Sequence, residues 1–373
     1  MRTVAAIAVL CASAWLALNL WGNYGGRVSG LFYTGARVAL PAELEGDRTR
    51  RVRGDDIGYD AQYYRLAAHD PLLRRGFAAF ADNPSLRWRR IGIPGLAALL
   101  SAGNENAVDW IFVAIQLGFV FAGAFWLARY AESIGCAPVC GLAFLLIPAT
   151  AISLDRMTID LPLAALTIGL ALYSTGWRRY LILIAAPLVR ETGMVLVVAW
   201  SLWPAARRDW REAMRSAACG IPAAFWWIYV RQHTPHDATP WLGTYPFSGI
   251  VNHILEGAGP YTTLWLRAAS ALEWVALAGV ILALVLALGL AAKRQFGALE
   301  TAAIVFAIFA ASLGKTDIWG SAYAFGRTMS PLLVLLGLIG LRDRKPILFL
   351  PMLLILPRIA LQYEAGIRNV IRG

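Results

Sequence analysis

Charge is what this sequence has least of. Asp, Glu, Lys and Arg make up 15% of its 373 residues, whereas soluble domains average about 25%. That is too little charge to cover a water-facing surface, which excludes a soluble enzyme and a disordered chain. Lysine is nearly absent: Lys293, Lys315 and Lys345 are the only ones, so every other basic residue is an arginine. Cysteine is scarce as well. Cys11, Cys136, Cys140 and Cys219 all sit in apolar segments, which excludes a disulfide scaffold. Cys136 and Cys140 stand four apart with no histidine near them and read as small buried apolar residues. No repeat of fixed period and no low-complexity tract appears.

Apolar residues are abundant. The chain is 58% hydrophobic with a mean hydropathy of +0.57. Fifteen Trp, fifteen Phe and thirteen Tyr suit a protein that anchors rings at two membrane interfaces. The composition predicts an all-α, polytopic membrane helix bundle. Its net charge of +11 is carried by arginine, whose planar fork matches phosphate and stays charged when partly buried. In a bilayer, lipid headgroups and lipid phosphates supply the anions, so no nucleic-acid partner is expected.

The first apolar run, 3–22, follows Arg2 and reads as an uncleaved helix with its N-terminus in the cytoplasm. Residues 23–90 form a long polar segment with twelve Arg and eight acidic residues. Within it, Tyr63, Leu66, Leu72, Leu73, Phe77 and Phe80 alternate with arginines, which predicts short amphipathic helices lying on the membrane surface and broken near Pro71. Apolar runs follow at 91–102, 107–128, 136–153, 158–174, 180–203, 216–230, 266–292, 298–313, 328–341 and 346–362, about 9–11 transmembrane segments in all. The reading divides the chain into a module over 1–230 with its first outer loop at 23–90, an extracytoplasmic loop at 231–265, and C-terminal helices over 266–373.

Orientation follows from the short basic loops. Arg178 and Arg179, the Arg207–Arg215 cluster, Lys293 with Arg294, and Arg342, Arg344 and Lys345 all become cytoplasmic if 180–203 is a hairpin with Arg190 and Glu191 at its tip. The twelve residues of 91–102 would then dip in and return, since they cover about 18 Å of a roughly 30 Å core. The rival count makes both segments full spans and exposes Arg178 and Arg179 outside. The 231–265 loop is outside in either count.

Five stretches carry chemistry. Gly54-Asp55-Asp56-Ile57-Gly58-Tyr59-Asp60 gathers three carboxylates before a helix, suited to taking a proton from a hydroxyl or to capping the helix at Ala61. Arg87, Arg89 and Arg90 on the outer side oppose the positive-inside trend and ask for an anion such as a lipid-linked phosphate. Asp155-Arg156-Met157-Thr158-Ile159-Asp160 opens another helix. Arg190-Glu191 interrupts a long apolar run between Pro187 and Gly193, and a charge at membrane depth costs at least about 2.5–3.5 kcal/mol, which marks function by default. Lys315 and Arg327 flank the last outer loop and suit contact with a donor phosphate or the capping of two helices. His233, His236 and His253, in the 231–265 loop, lack tight metal-ligand spacing.

Taken in order, Asp60-x-x-x-Tyr64, the arginines before the second apolar run, Met157-Thr158-Ile159-Asp160 and Arg190-Glu191-Thr192-Gly193 resemble the GT-C superfamily of polyprenyl-phosphate-dependent membrane glycosyltransferases, among them small multi-pass bacterial members tied to surface glycopolymers. The resemblance covers roughly 1–230. It implies a GT-C-like fold, a polyprenyl-phosphate sugar donor, and a glycan or glycolipid acceptor. It also implies a multi-pass inner membrane location, with the active site facing the outside or periplasm. It makes Asp60 the general base of an inverting displacement, with Asp55 and Asp56 as substitutes. Tyr64, Arg87, Arg89, Arg90, Arg156, Asp160, Arg190 and Glu191 become substrate-binding, and the residues of the last outer loop, outside the resemblance, add Lys315 and Arg327 to that set. The charged break often carries a lysine in the superfamily, whereas here it is Arg190-Glu191. A divalent metal, used in parts of the superfamily, is admitted as a cofactor, but no residue is assigned to one. The competing expectations are a transporter or flippase of lipid-linked glycans, which would place its charges at midplane between repeated halves, and a non-catalytic scaffold of the same fold.

Overall fold

The computed structural model describes residues 1–45, 57–235, 241–257, 263–292 and 296–372. Every element among them is helical, apart from one isolated antiparallel bridge between Leu242 and Leu313. Five helices are long and apolar enough to cross a membrane: Arg2–Gly22, Glu105–Ser133, Trp265–Ala292, Ala322–Asp343 and Pro346–Ile371. A sixth crossing is available if Pro138–Leu146 and Pro148–Arg156 count as one bent span. Asp160–Leu172, Gly193–Ala206 and Ala298–Ser312 are shorter apolar helices, of the kind the expected count of about nine to eleven would have to include.

One expected run takes a different form, and two that were expected not to cross as single straight spans are short or broken. The 136–153 run is not one helix. It bends by 58° between its halves, at Ile147, which is extended, with Pro148 beginning the second half. The 91–102 run is a nine-residue helix, Gly92–Leu100, about 14 Å long. The 180–203 run is broken: Trp177–Val189 ends, Arg190 is extended at φ −154° and ψ 142°, and Gly193–Ala206 follows.

The break is encoded locally. Pro187 has no amide hydrogen to give the preceding turn, and a Cβ on Gly193 would stand 2.2 Å from the carbonyl of Ala186. Gly92 packs against the same place, since its Cβ would lie 2.9 Å from the Val189 amide. The two helices return to a common end, where Arg179 Nη2 donates to Glu212 Oε1 at 2.5 Å. Further contacts extend that end: Arg342 pairs with Glu300, and Arg344 Nη2 donates to the carbonyl of Ile134 at 2.9 Å. The basic clusters at 178–179, 207–215 and 342–344 therefore share one end of the bundle.

Ala322–Asp343 is the central helix, buried almost all round along its apolar middle, as a segment apolar on every face should be. Residues 61–69 do not lie exposed on a surface. All of that helix except Tyr63 is buried, and its polar side chains are matched by the facing helix. Arg65 Nε donates to Asp109 Oδ2 at 2.8 Å, while His69 has Glu105 at 2.8 Å on one nitrogen and Asp109 at 3.1 Å on the other. Complementary charge on Glu105–Ser133 draws the polar face inward. Trp88 Nε1, donating to the Asp70 carbonyl at 2.7 Å, ties down the turn after Pro71.

Candidate functional site

At the end of the bundle away from the basic clusters, four segments converge on one charged cluster, part of which lines a polar cavity of about 120 Å³. The first is the start of the Ala61–His69 helix, which contributes Asp60. The N-cap side chain makes no capping bond. Instead, the Asp60 carboxylate stands 3.0 Å from Arg87 Nη2 and 2.5 Å from Arg327 Nη2. The second segment is Pro84–Arg89, started by Pro84 and capped by Asn83 Oδ1, which accepts from the Leu86 amide at 3.0 Å. Arg87 from this helix pairs with both oxygens of Asp82, at 2.8 and 2.6 Å. Arg90, just after it, pairs with both oxygens of Glu191, at 2.7 and 2.6 Å, and donates to the Tyr64 hydroxyl at 2.5 Å.

The third segment is the turn before Asp160–Leu172. Met157 takes a left-handed conformation at φ 49°. Ser153 Oγ is hydrogen-bonded to Thr158 Oγ1 at 2.8 Å, and Gln116 Nε2 donates to the Thr158 carbonyl at 2.7 Å. These bonds fix Asp160, whose carboxylate pairs with Arg190. Arg190 also donates to Thr328 Oγ1 at 3.0 Å. The fourth segment is the first half of Ala322–Asp343, where Arg327 reaches Asp60 and comes within 3.7 Å of Asp160.

One ion-pair network results. It runs Asp82, Arg87, Asp60, Arg327, Asp160, Arg190, Glu191, Arg90, with four charges of each sign. Mutual neutralisation is what allows this much charge to be buried. Burial alone would push the Asp60 carboxyl up. The guanidiniums of Arg327 and Arg87, with Arg90 behind them, outweigh that and hold it well below the usual carboxylate range. Comparison with protein-family models, with curated proteins and with solved structures finds no match.

The remaining expected residues fall into two groups. Lys315 lines the cavity with Trp241 and Asp317. Its Nζ lies 3.3 Å from Asp317 and 4.7 Å from the centre of the Trp241 ring. Arg156 is set beside the network, its guanidinium among the rings of Tyr33, Tyr59 and Tyr323 at 4.9, 4.5 and 5.4 Å. Tyr59 also underlies Arg327 at 5.0 Å. Arg89 is absent from the cavity. It folds back on its own helix, Nε donating to the Ser85 carbonyl at 3.0 Å, because helical spacing puts residues 87 and 90 on one side and 89 off it. Asp55 and Asp56 lie outside the described residues.

Asp82, Thr328 and Tyr33 were not singled out by sequence. Asp82 had a signal, in the Asp-Asn-Pro that precedes a helix; Tyr33 had none, since its role depends on which segments meet. A divalent metal does not fit the donor set of the described residues. Among the described residues no group of three or more His, Cys, Asp or Glu side chains is placed to hold one, and the cavity's carboxylates already face cationic side chains. His253, in the 231–265 loop, packs against Trp274, and His236 lies outside the described residues.

Proposed function

We propose that this chain is a membrane glycosyltransferase that moves a sugar from a polyprenyl-phosphate donor to an acceptor glycan or glycolipid. One observation carries the reading. Asp60 lines one cavity with Arg87, Arg90, Arg190 and Arg327 at one end of an apolar bundle, and Asp160, from a separate segment, pairs with Arg190 and Arg327. A site that must hold a phosphate, remove a proton and stay within reach of a lipid tail needs those groups together. The basic clusters at the opposite end favour the cytoplasm, which supports a cavity facing the extracytoplasmic side.

In this reading the acceptor hydroxyl gives its proton to Asp60, a role worth about 10²–10⁴ in rate. Its oxygen attacks the anomeric carbon, and the bond to the phosphate breaks toward the arginines, which stabilise the charge left on the departing group. A single base without a covalent nucleophile inverts the anomeric configuration. A scaffold would keep the fold without needing the carboxylate.

The test is the surface glycan of the native host, compared between wild type and Asp60→Asn at matched protein levels. The transferase reading expects one sugar addition to be lost while its lipid-linked donor accumulates on the outer face. An unchanged glycan made with folded variant would refute it. Accumulation of lipid-linked glycan on the inner face would indicate a flippase instead.

A further inference from the structure

The network poses a difficulty for any anion that enters it. Arg87 is divided between Asp82 and Asp60, Arg327 between Asp60 and Asp160, and Arg90 is held by Glu191. Even Lys315, at the rim, faces Asp317. Each of those cations is already paired, so a phosphate that enters competes with a carboxylate for it.

The carboxylates are not equally held. Asp82 and Glu191 each grip one arginine through both oxygens, the strongest geometry available to the pair. Asp60 receives one nitrogen from each of two arginines, and each of those arginines has a second carboxylate to fall back on. It also lines the cavity. Arg327 has two further nitrogens, Nε and Nη1, buried without a hydrogen-bond partner. Asp60 is the anion that an incoming one displaces most readily.

Asp60 also has a difficulty of its own. A carboxylate held by two guanidiniums is a poor base, since protonating it forfeits both pairs.

We propose that the phosphate group of the donor displaces Asp60 from Arg87 and Arg327, so that donor binding itself turns Asp60 from an ion-pair partner into a base. The proposal rests on the transferase reading. The freed carboxylate accepts the acceptor's hydroxyl proton, and that oxygen's electron pair forms the new bond to the anomeric carbon. The bond from that carbon to the phosphate oxygen breaks, its electron pair staying on the phosphate, whose charge goes from one negative to two. The second charge appears where Arg87 and Arg327 already stand. When the lipid phosphate leaves, neutral Asp60 returns its proton to solvent and takes the two guanidiniums back.

The test measures binding to the full-length chain in lipid nanodiscs, with a ten-carbon isoprenyl phosphate and with inorganic phosphate as probes. If Asp60 competes for the arginines, Asp60→Asn binds the isoprenyl phosphate at least about tenfold more tightly than wild type, and Arg327→Gln at least about tenfold more weakly. Tightening with inorganic phosphate too assigns the exchange to the phosphate group alone; tightening confined to the isoprenyl probe assigns it to a lipid carrier. Unchanged or weaker binding by Asp60→Asn overturns the exchange.

Should that variant not fold, wild type decides by infrared spectroscopy with isotope-labelled aspartate. Saturating isoprenyl phosphate then raises the titration of one aspartate relative to the unliganded protein. Saturation with no such change overturns the exchange and leaves the transferase reading standing. Failure of wild type to bind isoprenyl phosphate overturns both.

Discussion

Arg327 lies 2.5 Å from Asp60 and 3.7 Å from Asp160. One side chain of the central helix thus joins two carboxylates that arrive from different segments. The planar fork is what lets it do so, because its nitrogens are spaced and oriented to serve two partners at once. Lysine keeps the charge but concentrates it at one point. Arg327→Lys should therefore behave much closer to Arg327→Ala than to wild type when the host glycan is measured. Full complementation by lysine would mean that charge alone matters there.

Asp60 is held well below the usual carboxylate range by Arg327 and Arg87 despite its burial. A depressed carboxyl contributes stability that is fully present above its unfolded value, about 3.9, and is lost only as pH falls toward the folded one. The melting difference between wild type and Asp60→Asn should be the same at pH 8 and pH 5 and shrink below about pH 4. A difference that already shrinks between pH 8 and pH 5 would contradict the pairing.

Away from the cavity, Arg65 and Asp109 form a buried pair at 2.8 Å, with His69 on the same carboxylate. Removing one member leaves the other charge buried without compensation, at a cost of about 3–5 kcal/mol. Asp109→Ala should melt well below wild type in detergent, and Arg65→Met with Asp109→Leu should recover part of the loss. An unchanged melting temperature for Asp109→Ala would show that water reaches the pair.

The orientation is open to direct chemistry. Asp317 and Trp177 are both exposed, one beside the cavity and the other at the basic end. In a cysteine-free background, a membrane-impermeant thiol reagent applied to intact cells should label Asp317→Cys and spare Trp177→Cys. The reverse pattern would turn the bundle over and put the cavity in the cytoplasm.

Much of the site was legible because charge is so rare in this chain. Asp160, Arg190, Glu191 and Arg327 stand out against apolar surroundings. Asp60, Arg87 and Arg90 stand out by their position beside helix starts within the polar 23–90 segment. Each needs a partner to be buried at all. The break at Arg190 was legible too, since Pro187 and Gly193 bracket it. What composition hides is direction and long-range pairing. Arg89 looks like its neighbours until the helix turns it toward Ser85. The Ala61–His69 helix looks amphipathic and surface-bound until Asp109 and Glu105 are found opposite its polar side. The bend at Ile147–Pro148 leaves hydropathy unchanged, so an average over the run passes across it. Which carboxylate meets which arginine is set by helix packing, and no spacing in the chain encodes it.

The most direct measurement of the central claim is release of polyprenyl phosphate. Purified protein in nanodiscs would receive lipid-linked sugars and acceptor glycan extracted from the host, with wild type and Asp60→Asn compared at equal folded protein. The account predicts acceptor-dependent release by wild type, slowed by about 10²–10⁴ in the variant. Equal rates in the two proteins, or acceptor left unmodified by wild type, would contradict it.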